Sequence, residues 1–330
     1  MMRSRLVDIR KKIKEWMLPI AMFAGASMYL IYHELPQPVH RAGPYLESLL
    51  GLIQPFLIFA MLFLTFCSIE PKQLKPHRWH WWLLLIQGGS FTVLGLAAWL
   101  VMKYLPGGGG EWIVLVESAM LCMICPTATA AAVVTRKLGG DVPGITTYVV
   151  LINLVTAMLV PLIVPLIRPM DGIGFWTAFS MIVARIFPLF ILPCLFAWMI
   201  RYMAPGIYRK IQKYPDLAFY LWAIALTFAI AVTVRSIVRS VLSLRIILLM
   251  SVISLVCCVI QFAAGRYIGS RYKPGEVKKI TAGQSLGQKN TVFAIWMAYT
   301  FMTPETAIVG GLYSIWHNIY NSWQLRRAMQ

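Results

Sequence analysis

Ten apolar runs follow one another along the chain, separated by short polar or basic segments. Each run is close to the roughly 20 residues that an α-helix needs to cross the hydrocarbon core of a bilayer. No intervening stretch is long or polar enough for a sizeable soluble domain. The pattern therefore predicts an all-α polytopic membrane protein with ten transmembrane helices. These predicted spans lie near residues 16–33, 48–68, 79–104, 111–136, 142–167, 174–201, 215–237, 243–268, 280–302 and 305–325.

The composition agrees with this prediction. Apolar residues make up 59% of the chain, charged residues 13%, and the mean hydropathy is +0.71. These values argue against a disordered chain, a coiled coil and a typical soluble enzyme. No HExxH, GxSxG or P-loop motif occurs, so we expect no enzyme activity, no cofactor and no nucleic-acid partner. Cys122 and Cys125 have metal-like spacing without a second pair, so we expect packing residues rather than a metal site.

Basic residues are distributed unevenly between the two ends of the predicted spans. The chain has 30 Lys and Arg against 12 Asp and Glu, a net charge of +18. If successive spans alternate in direction, 22 basic residues lie on the same side of the membrane as the N-terminus. Six basic residues, including Arg41, lie on the other side, and two lie within spans. The positive-inside rule places both termini in the cytoplasm, and we expect a bacterial cytoplasmic (inner) membrane. The start also resembles a secretory signal cleavable near Ala24, but the apolar run continues past it, which favours a retained first span.

The ten spans divide into two halves of five, and an odd number reverses the direction of the second half. Inverted repeats of this kind occur in many secondary transporters, whose best sequence pointer is a broken helix at the same place in each half. Span 4 contains CPTATAAAVV at 125–134, and span 9 contains AGQSLGQKNT at 282–291. Two ordinary kinked helices with small packing residues are the alternative. We interpret residues 1–330 as one transport unit, with repeats near 16–167 and 174–325.

Unwound helix segments in a membrane expose N–H groups at one half-helix and carbonyl groups at the other. The N–H ends attract anions and the carbonyl ends attract cations, so two crossing breaks form a compact site. Lys289 lies about 14 Å into span 9, near the centre of a core about 30 Å thick. A lysine at that depth is a functional candidate, with snorkelling to the surface as the alternative. Its polar neighbours are Gln284, Ser285, Gln288, Asn290 and Thr291.

Other polar residues within spans are candidates for the same site. Glu117 lies about 9 Å and Arg185 about 16 Å into their spans, so both are possible buried charges. Glu117 has two possible partners, Arg185 and Lys289, and an interfacial position is its alternative. His317 and Asn318 lie midway along span 10, where they either line a cavity or pack against neighbouring helices.

Five segments, in order along nearly the whole chain, match the pattern of a known family. They are FLTFCSIEPKQL at 63–74, LLIQ ending at Gln87, CPTATAAAVVTRKLGGDV at 125–142, LGQKNTVFA at 286–294 and SIWHNIYNSW at 314–323. Together these segments resemble the bile acid:sodium symporter family. The resemblance implies ten spans in a core and a panel subdomain, with spans 4 and 9 crossing in the core. It also implies transport of an organic anion by alternating access.

The family pattern implies a substrate site at the two breaks and on span 10. Either a sterol-like anion or a small carboxylate would suit such a site, and membrane lipids are the expected surroundings. The oligomeric state has no signature in the sequence. The implied substrate-binding residues are Thr127, Ala128, Thr129, Asn290, Thr291, His317 and Asn318.

The departures from the family pattern fall on its sodium ligands. Where the family usually has a Ser-Asn pair after the span 4 break, this chain has Ala131 and Ala132. Where the family has hydroxyl ligands on span 5, this chain has Ile145 and Val149. Alkyl side chains cannot ligate sodium through oxygen. On span 9 the acidic ligand becomes Ser285 and a glutamine ligand becomes Lys289, while Gln87 and Asn290 match. Both sodium sites therefore look dismantled.

A tethered ammonium offers a physical replacement for a bound ion. Lys289 would take the place of sodium and donate hydrogen bonds to carbonyl groups and Gln87, with Gln288 and Ser285 beside it. The leading hypothesis is a sodium-independent carrier. Proton coupling, uniport and direct contact of Lys289 with the substrate remain open. The rivals are a sodium-coupled symporter and a non-transporting receptor or scaffold that kept the fold.

Overall fold

The structure is a computed structural model that describes residues 2–36, 43–214 and 217–328. Within these ranges the regular structure consists of thirteen α-helices and two short 3-10 turns. Arg41 and the start of predicted span 7, at 215–216, lie outside the described residues. The helices are α1 (Met2–Glu34), α2 (Gly43–Cys67), α3 (Arg78–Tyr104), α4 (Glu111–Ile124), α5 (Ala130–Lys137), α6 (Val142–Ile167), α7 (Phe175–Met203), α8 (Pro205–Gln212), α9 (Leu217–Arg239), α10 (Leu244–Ser270), α11 (Gly275–Gly287), α12 (Thr291–Phe301) and α13 (Pro304–Ala328).

Among the described residues, six helices are long and apolar enough to cross a membrane, judged by length and composition: α2, α3, α6, α7, α9 and α10. They coincide with six of the predicted spans. The other four predicted positions hold α1, α13 and two broken pairs, α4 with α5 and α11 with α12. The pieces of the broken pairs have 8 to 14 residues, fewer than one crossing requires. The chain is thus all-helical over the described residues, with several membrane-spanning candidates.

Two segments that the apolar pattern assigned to loops are helical. The eight-residue α8 lies in the predicted loop between spans 6 and 7. Helix α11 begins at Gly275, five residues before the predicted start of span 9. Both segments are rich in basic residues, so a search for continuous apolar runs passes over them. An amphipathic helix needs only one apolar face.

The two helix breaks have local causes in the sequence. Pro126 has no backbone N–H, so it cannot continue the ladder of α4, which ends at Ile124. In the second break α11 ends at Gly287, and Asn290 starts the next helix. Its side-chain Oδ1 accepts a hydrogen bond of 3.2 Å from the backbone N–H of Phe293, which caps the N-terminus of α12. Both breaks therefore follow from residue chemistry at the positions where the sequence predicts them.

The helices pack in two groups. One group contains α1, α2, α7, α8 and α9, in which α1 packs on α9 and α2 packs on both α7 and α9. The other contains α3 to α6 and α10 to α13, in which α10 packs closely on α11. The groups meet where α6 contacts α7, where α9 contacts α13 and where α2 contacts α12. The crossing of the two broken helices lies within the second group.

Close packing of α10 on α11 depends on glycine. A Cβ added at Gly265 would collide with the carbonyl oxygen of Ala282, and one at Gly269 would collide with the carbonyl of Lys278. Backbone atoms cannot move aside as a flexible side chain can. The spacing of the two glycines therefore allows the first half of the second broken helix to lie directly against α10.

We expect Gly265→Ala to lower the stability of the folded protein by about 1–3 kcal/mol, because the methyl group forces α10 and α11 apart. The measurement is the thermal melting midpoint of the purified protein in detergent. Gly89→Ala is the matched control, since nothing lies within 4 Å of a Cβ added at that helical glycine. Equal melting midpoints for the two variants would contradict this view of the packing.

A polar contact joins the turn after the first break to the start of the second broken helix. Asp141 forms a salt bridge with Lys278, accepts a 3.0 Å hydrogen bond from the Gly144 N–H, and donates its own N–H to Thr281 Oγ1 at 2.8 Å. Lys278 also lies 5.8 Å from the centroid of the Trp79 ring. Partial burial raises the pKa of Asp141, but the hydrogen bonds from Lys278 and Gly144 outweigh it. The net result is a pKa below the ordinary value of 3.8.

The lowered pKa predicts how this contact responds to acid. A carboxyl group with a depressed folded-state pKa contributes stability above its ordinary pKa, and that contribution is lost as the pH falls through the folded value. We therefore expect Asp141→Asn, which keeps a helix-capping side chain, to melt below wild type at neutral pH. The difference should shrink as the pH falls below 3.8. A melting difference that is constant from neutral to acid pH would show that the charge of Asp141 contributes nothing.

Candidate functional site

The two broken helices cross and pair through their unwound backbones. The Ala128 N–H donates to the Gln288 carbonyl at 2.9 Å, and the Asn290 N–H donates to the Pro126 carbonyl at 2.8 Å. Thr127 and Lys289 thus face each other as an antiparallel bridge. Residues 158 or more positions apart in the sequence come together at one point. The crossing contains the predicted residues of both breaks.

The carbonyl groups at the end of α4 receive donors from other helices. Gln87 Nε2 donates to the carbonyls of Ile124 and Cys125 at 3.2 and 2.9 Å. The Gln87 side chain is itself oriented by Tyr148, whose hydroxyl donates to Gln87 Oε1 at 2.8 Å. One turn earlier, Gln261 Nε2 donates to the Cys122 carbonyl at 3.2 Å. Side-chain donors therefore occupy much of the carbonyl end that this break exposes.

The carbonyl end of α11 is satisfied in the same way. Thr127 Oγ1 donates to the Ser285 carbonyl at 2.6 Å, so a residue of the first break satisfies a carbonyl group at the second. The Tyr313 hydroxyl donates to the Gly287 carbonyl at 2.8 Å. The second break is thus held by a group from the opposite half of the chain and by one from α13.

Lys289 is buried at the crossing, with 1% of its surface exposed. Its Nζ lies 3.4 Å from the carbonyl oxygen of Met123, in the last turn of α4, where the helix dipole is negative. Within the described ranges Lys289 forms no salt bridge with a carboxylate. It borders a cavity of about 10 Å³ together with Cys122, Cys125 and Tyr313, among others. The nearest polar surroundings of the ammonium are therefore carbonyl and thiol groups.

Several predicted site residues are buried with polar atoms that have no hydrogen-bond partner among the residues the structure describes. They are Ser285 Oγ, both amide atoms of Gln288, both ring nitrogens of His317 and Oδ1 of Asn318. The His317 ring lies edge-on to Tyr313, with centroids 5.7 Å apart, and Asn318 Nδ2 donates to the Ser314 carbonyl at 2.8 Å. Unpartnered polar atoms at such depth are costly, so this part of the crossing is suited to water or a polar solute.

A larger cavity lies beside the crossing, between α5 and the ends of α2, α8 and α9. Its volume is about 100 Å³. Of the predicted substrate-binding residues, Thr129 lines it, and Arg136 from the last turn of α5 contributes a positive charge. Thr127, Ala128, Asn290 and Thr291 belong to the crossing itself, and His317 and Asn318 lie on α13. The lining residues are Leu64, Thr65, Cys67, Ser68, Ile69, Thr129, Ala130, Ala132, Val133, Arg136, Val142, Ile211, Gln212, Tyr214, Ala218 and Phe219.

The pairing expected for Glu117 is wrong. Glu117 is fully buried, as one alternative held, but its partner is Arg168 at the end of α6. Arg168 donates from Nε at 2.6 Å and from a terminal nitrogen at 3.1 Å, and Thr306 Oγ1 donates to the same carboxylate at 2.7 Å. Arg185 is exposed on the surface of α7 rather than buried. Depth along a span, used alone, does not tell which face of the helix a residue occupies.

Sequence reasoning missed the residues that hold the crossing together. Tyr148, Gln261 and Tyr313 lie within long apolar helices, where single polar groups are common and carry no distinctive motif. Arg168 follows the last apolar residue of its span, so the apolar pattern gives no sign of its contact with the buried Glu117. Among the residues the structure describes, no group of three or more His, Cys, Asp or Glu side chains could hold a metal ion.

Comparison with known proteins assigns the chain to a transporter family. Residues 23–327 match the SBF-like CPA transporter family, which is bile acid:sodium symporter-like. A search of curated proteins found no match. The matched region contains both helix breaks and all candidate site residues. Because the match covers most of the sequence, the chain belongs to the SBF-like CPA transporter family.

Proposed function

We propose that this protein is a sodium-independent secondary transporter of an organic anion that works by alternating access. The observation that carries the proposal is the position of Lys289. Its Nζ lies beside the Met123 carbonyl at the negative end of α4, inside the crossing of two broken helices. A fixed ammonium at this point supplies the positive charge that a bound ion would otherwise supply.

The surroundings of Lys289 support the absence of a sodium site. The side chains of Ala131, Ile145 and Val149 are fully or almost fully buried and offer no oxygen. Gln87 could ligate a cation through Oε1. Instead, this atom accepts a hydrogen bond from the Tyr148 hydroxyl, and Nε2 donates to two carbonyl groups at the end of α4. A sodium ion needs several oxygen ligands. Here the oxygen atoms of Gln87 and of the α4 carbonyls already accept hydrogen bonds from side chains.

The anion would enter through the cavity beside the crossing. Thr129 lies next to the N-terminal turn of α5, and Arg136 lies at the rim. The partial positive charge of the helix N-terminus and the guanidinium both favour a carboxylate or another anion. The unpartnered groups of Gln288, His317 and Asn318 then offer hydrogen bonds deeper in the crossing.

We further propose ten membrane crossings arranged as two inverted repeats in the cytoplasmic membrane of a bacterium, with both termini in the cytoplasm. The broken pairs occupy the fourth position of each half, as the repeat requires. The cavity lies at the end of the bundle that carries the basic loops, so it would open to the cytoplasm. The buried Glu117 lies midway along α4, and its partner Arg168 follows the end of α6 that is remote from the basic turn at 136–141.

The test is uptake by proteoliposomes that contain the purified protein. Labelled organic anions, from small hydroxy acids to sterol-like carboxylates, are offered in sodium buffer and in potassium buffer. We expect saturable uptake of at least one class at equal rates in both. Uptake that needs sodium would overturn sodium independence and establish a symporter. Saturable binding without uptake would establish the receptor alternative.

A further inference from the structure

We propose that α8 and the two residues after it form a binding surface for the headgroups of anionic phospholipids. This surface, called the α8 surface below, consists of residues 205–214, between α7 and α9. The inference goes beyond the solute that the protein carries and rests on the proposed orientation, with the basic loops in the cytoplasm.

One face of α8 is fixed to the rest of the protein. Tyr208 and Ile211 are partly buried against the main apolar core. The Tyr208 ring lies under the Arg201 guanidinium at 5.0 Å, and Gln212 Nε2 donates to the Cys67 carbonyl at 2.6 Å. These contacts hold the short helix against the ends of α2 and α7, so its other face has a defined orientation.

The outward face combines positive charge with exposed apolar groups. Arg209, Lys210 and Lys213 are exposed and form no ion pair within the described part of the chain. Ile207 is 54% exposed and Tyr214 is 68% exposed. Residues 205–214 contain no acidic residue. A short helix with basic and apolar groups on its free side is typical of segments that lie in the headgroup region of a membrane.

Charge complementarity identifies the occupant as an anionic lipid. The α8 surface lies at the end of the bundle where the predicted cytoplasmic loops are, which faces the leaflet that carries anionic lipids. Three cations within one and a half turns match a phosphate-bearing headgroup. The neighbouring apolar side chains Ile207 and Tyr214 would contact the acyl chains, which a soluble phosphate lacks.

Lipid on the α8 surface would also act on the large cavity. Ile211 and Gln212 line that cavity from the opposite face of the same segment, and Tyr214 lies between the two faces and borders the cavity as well. A headgroup held by Arg209 and Lys210 would therefore fix one wall of the cavity. This gives the protein a direct route by which membrane composition affects access to the crossing.

Native mass spectrometry of the purified full-length protein tests the proposal, with added phosphatidylglycerol or phosphatidylcholine as the probe. We expect tighter binding of phosphatidylglycerol. The triple variant Arg209→Gln/Lys210→Gln/Lys213→Gln should lose affinity by about fivefold for each charge removed, or about a hundredfold in total. The matched control is Arg271→Gln/Lys273→Gln/Arg326→Gln, which removes three exposed basic residues from other segments at the same end.

Three results would overturn the proposal. The first is equal binding of the neutral and the anionic lipid by wild type. The second is an equal loss of affinity in the two triple variants, which would show that total charge rather than the α8 surface matters. The third is displacement of phosphatidylglycerol by inorganic phosphate at the same concentration, which would identify a phosphate site without lipid contacts. None of these results depends on finding the transported solute.

Discussion

Replacing Lys289 by methionine lowers the melting midpoint of the protein, with an expected loss of about 2 kcal/mol in stability. Methionine fills nearly the same space but has no charge and no hydrogen-bond donor. The Met123 carbonyl and the negative end of α4 then lose the cation that lies 3.4 Å away in wild type. The measurement is a thermal melt in detergent, in the absence of sodium.

An opposing effect makes this prediction decisive. Burying an ammonium without a carboxylate costs several kcal/mol, so an apolar replacement that ended this cost would raise stability. Our proposal holds that carbonyl groups and the helix dipole offset the cost. A methionine variant that melts at or above the wild-type temperature would show that they do not. Lys137→Met is the control, because it removes an exposed lysine from the last turn of α5.

Replacing Glu117 by glutamine should destabilise the protein by about 3 kcal/mol, because it leaves one partner of a buried ion pair without its counter-charge. The carboxylate accepts two hydrogen bonds from Arg168 and one from Thr306, and the side chain is fully buried. These contacts join α4, α6 and α13 at one end of the bundle. The loss is measured as the drop in thermal melting midpoint.

Matched variants separate the ion pair from a general effect of the substitution. Glu111→Gln makes the same change at an exposed position in the first turn of the same helix, and we expect a small effect there. Combining Glu117→Gln with Arg168→Gln should cost less than the sum of the two single changes. Strict additivity would mean that the two side chains do not stabilise each other.

The apolar pattern predicted most of the helical framework because lipid imposes a simple rule. A crossing helix must be about 20 residues long and mainly apolar, so runs such as 142–167 and 243–268 are visible without any structure. The rule fails for α8, whose apolar face is narrow, and for the basic start of α11. The breaks at Pro126 and Asn290 were predictable because proline and an N-capping asparagine act locally.

The hydrogen-bond partners of the site residues were harder to predict than the location of the site. The sequence places Lys289 and Gln87 in the crossing, but it does not show that Tyr148 orients Gln87 or that Thr127 completes the end of α11. Those contacts depend on how helices rotate about their axes, which apolar runs without a clear polar stripe do not encode. The error over Arg185 has the same origin, since depth was known and the helix face was not.

The most direct test of the central claim compares the melting midpoint of wild type in sodium with that in potassium at equal ionic strength. An ion that binds the folded state raises stability as its concentration rises above its dissociation constant. If Lys289 occupies the place of the ion, wild type should melt at the same temperature in both salts at every concentration. A sodium-specific rise that grows with concentration would contradict the claim and restore sodium-coupled symport as the mechanism.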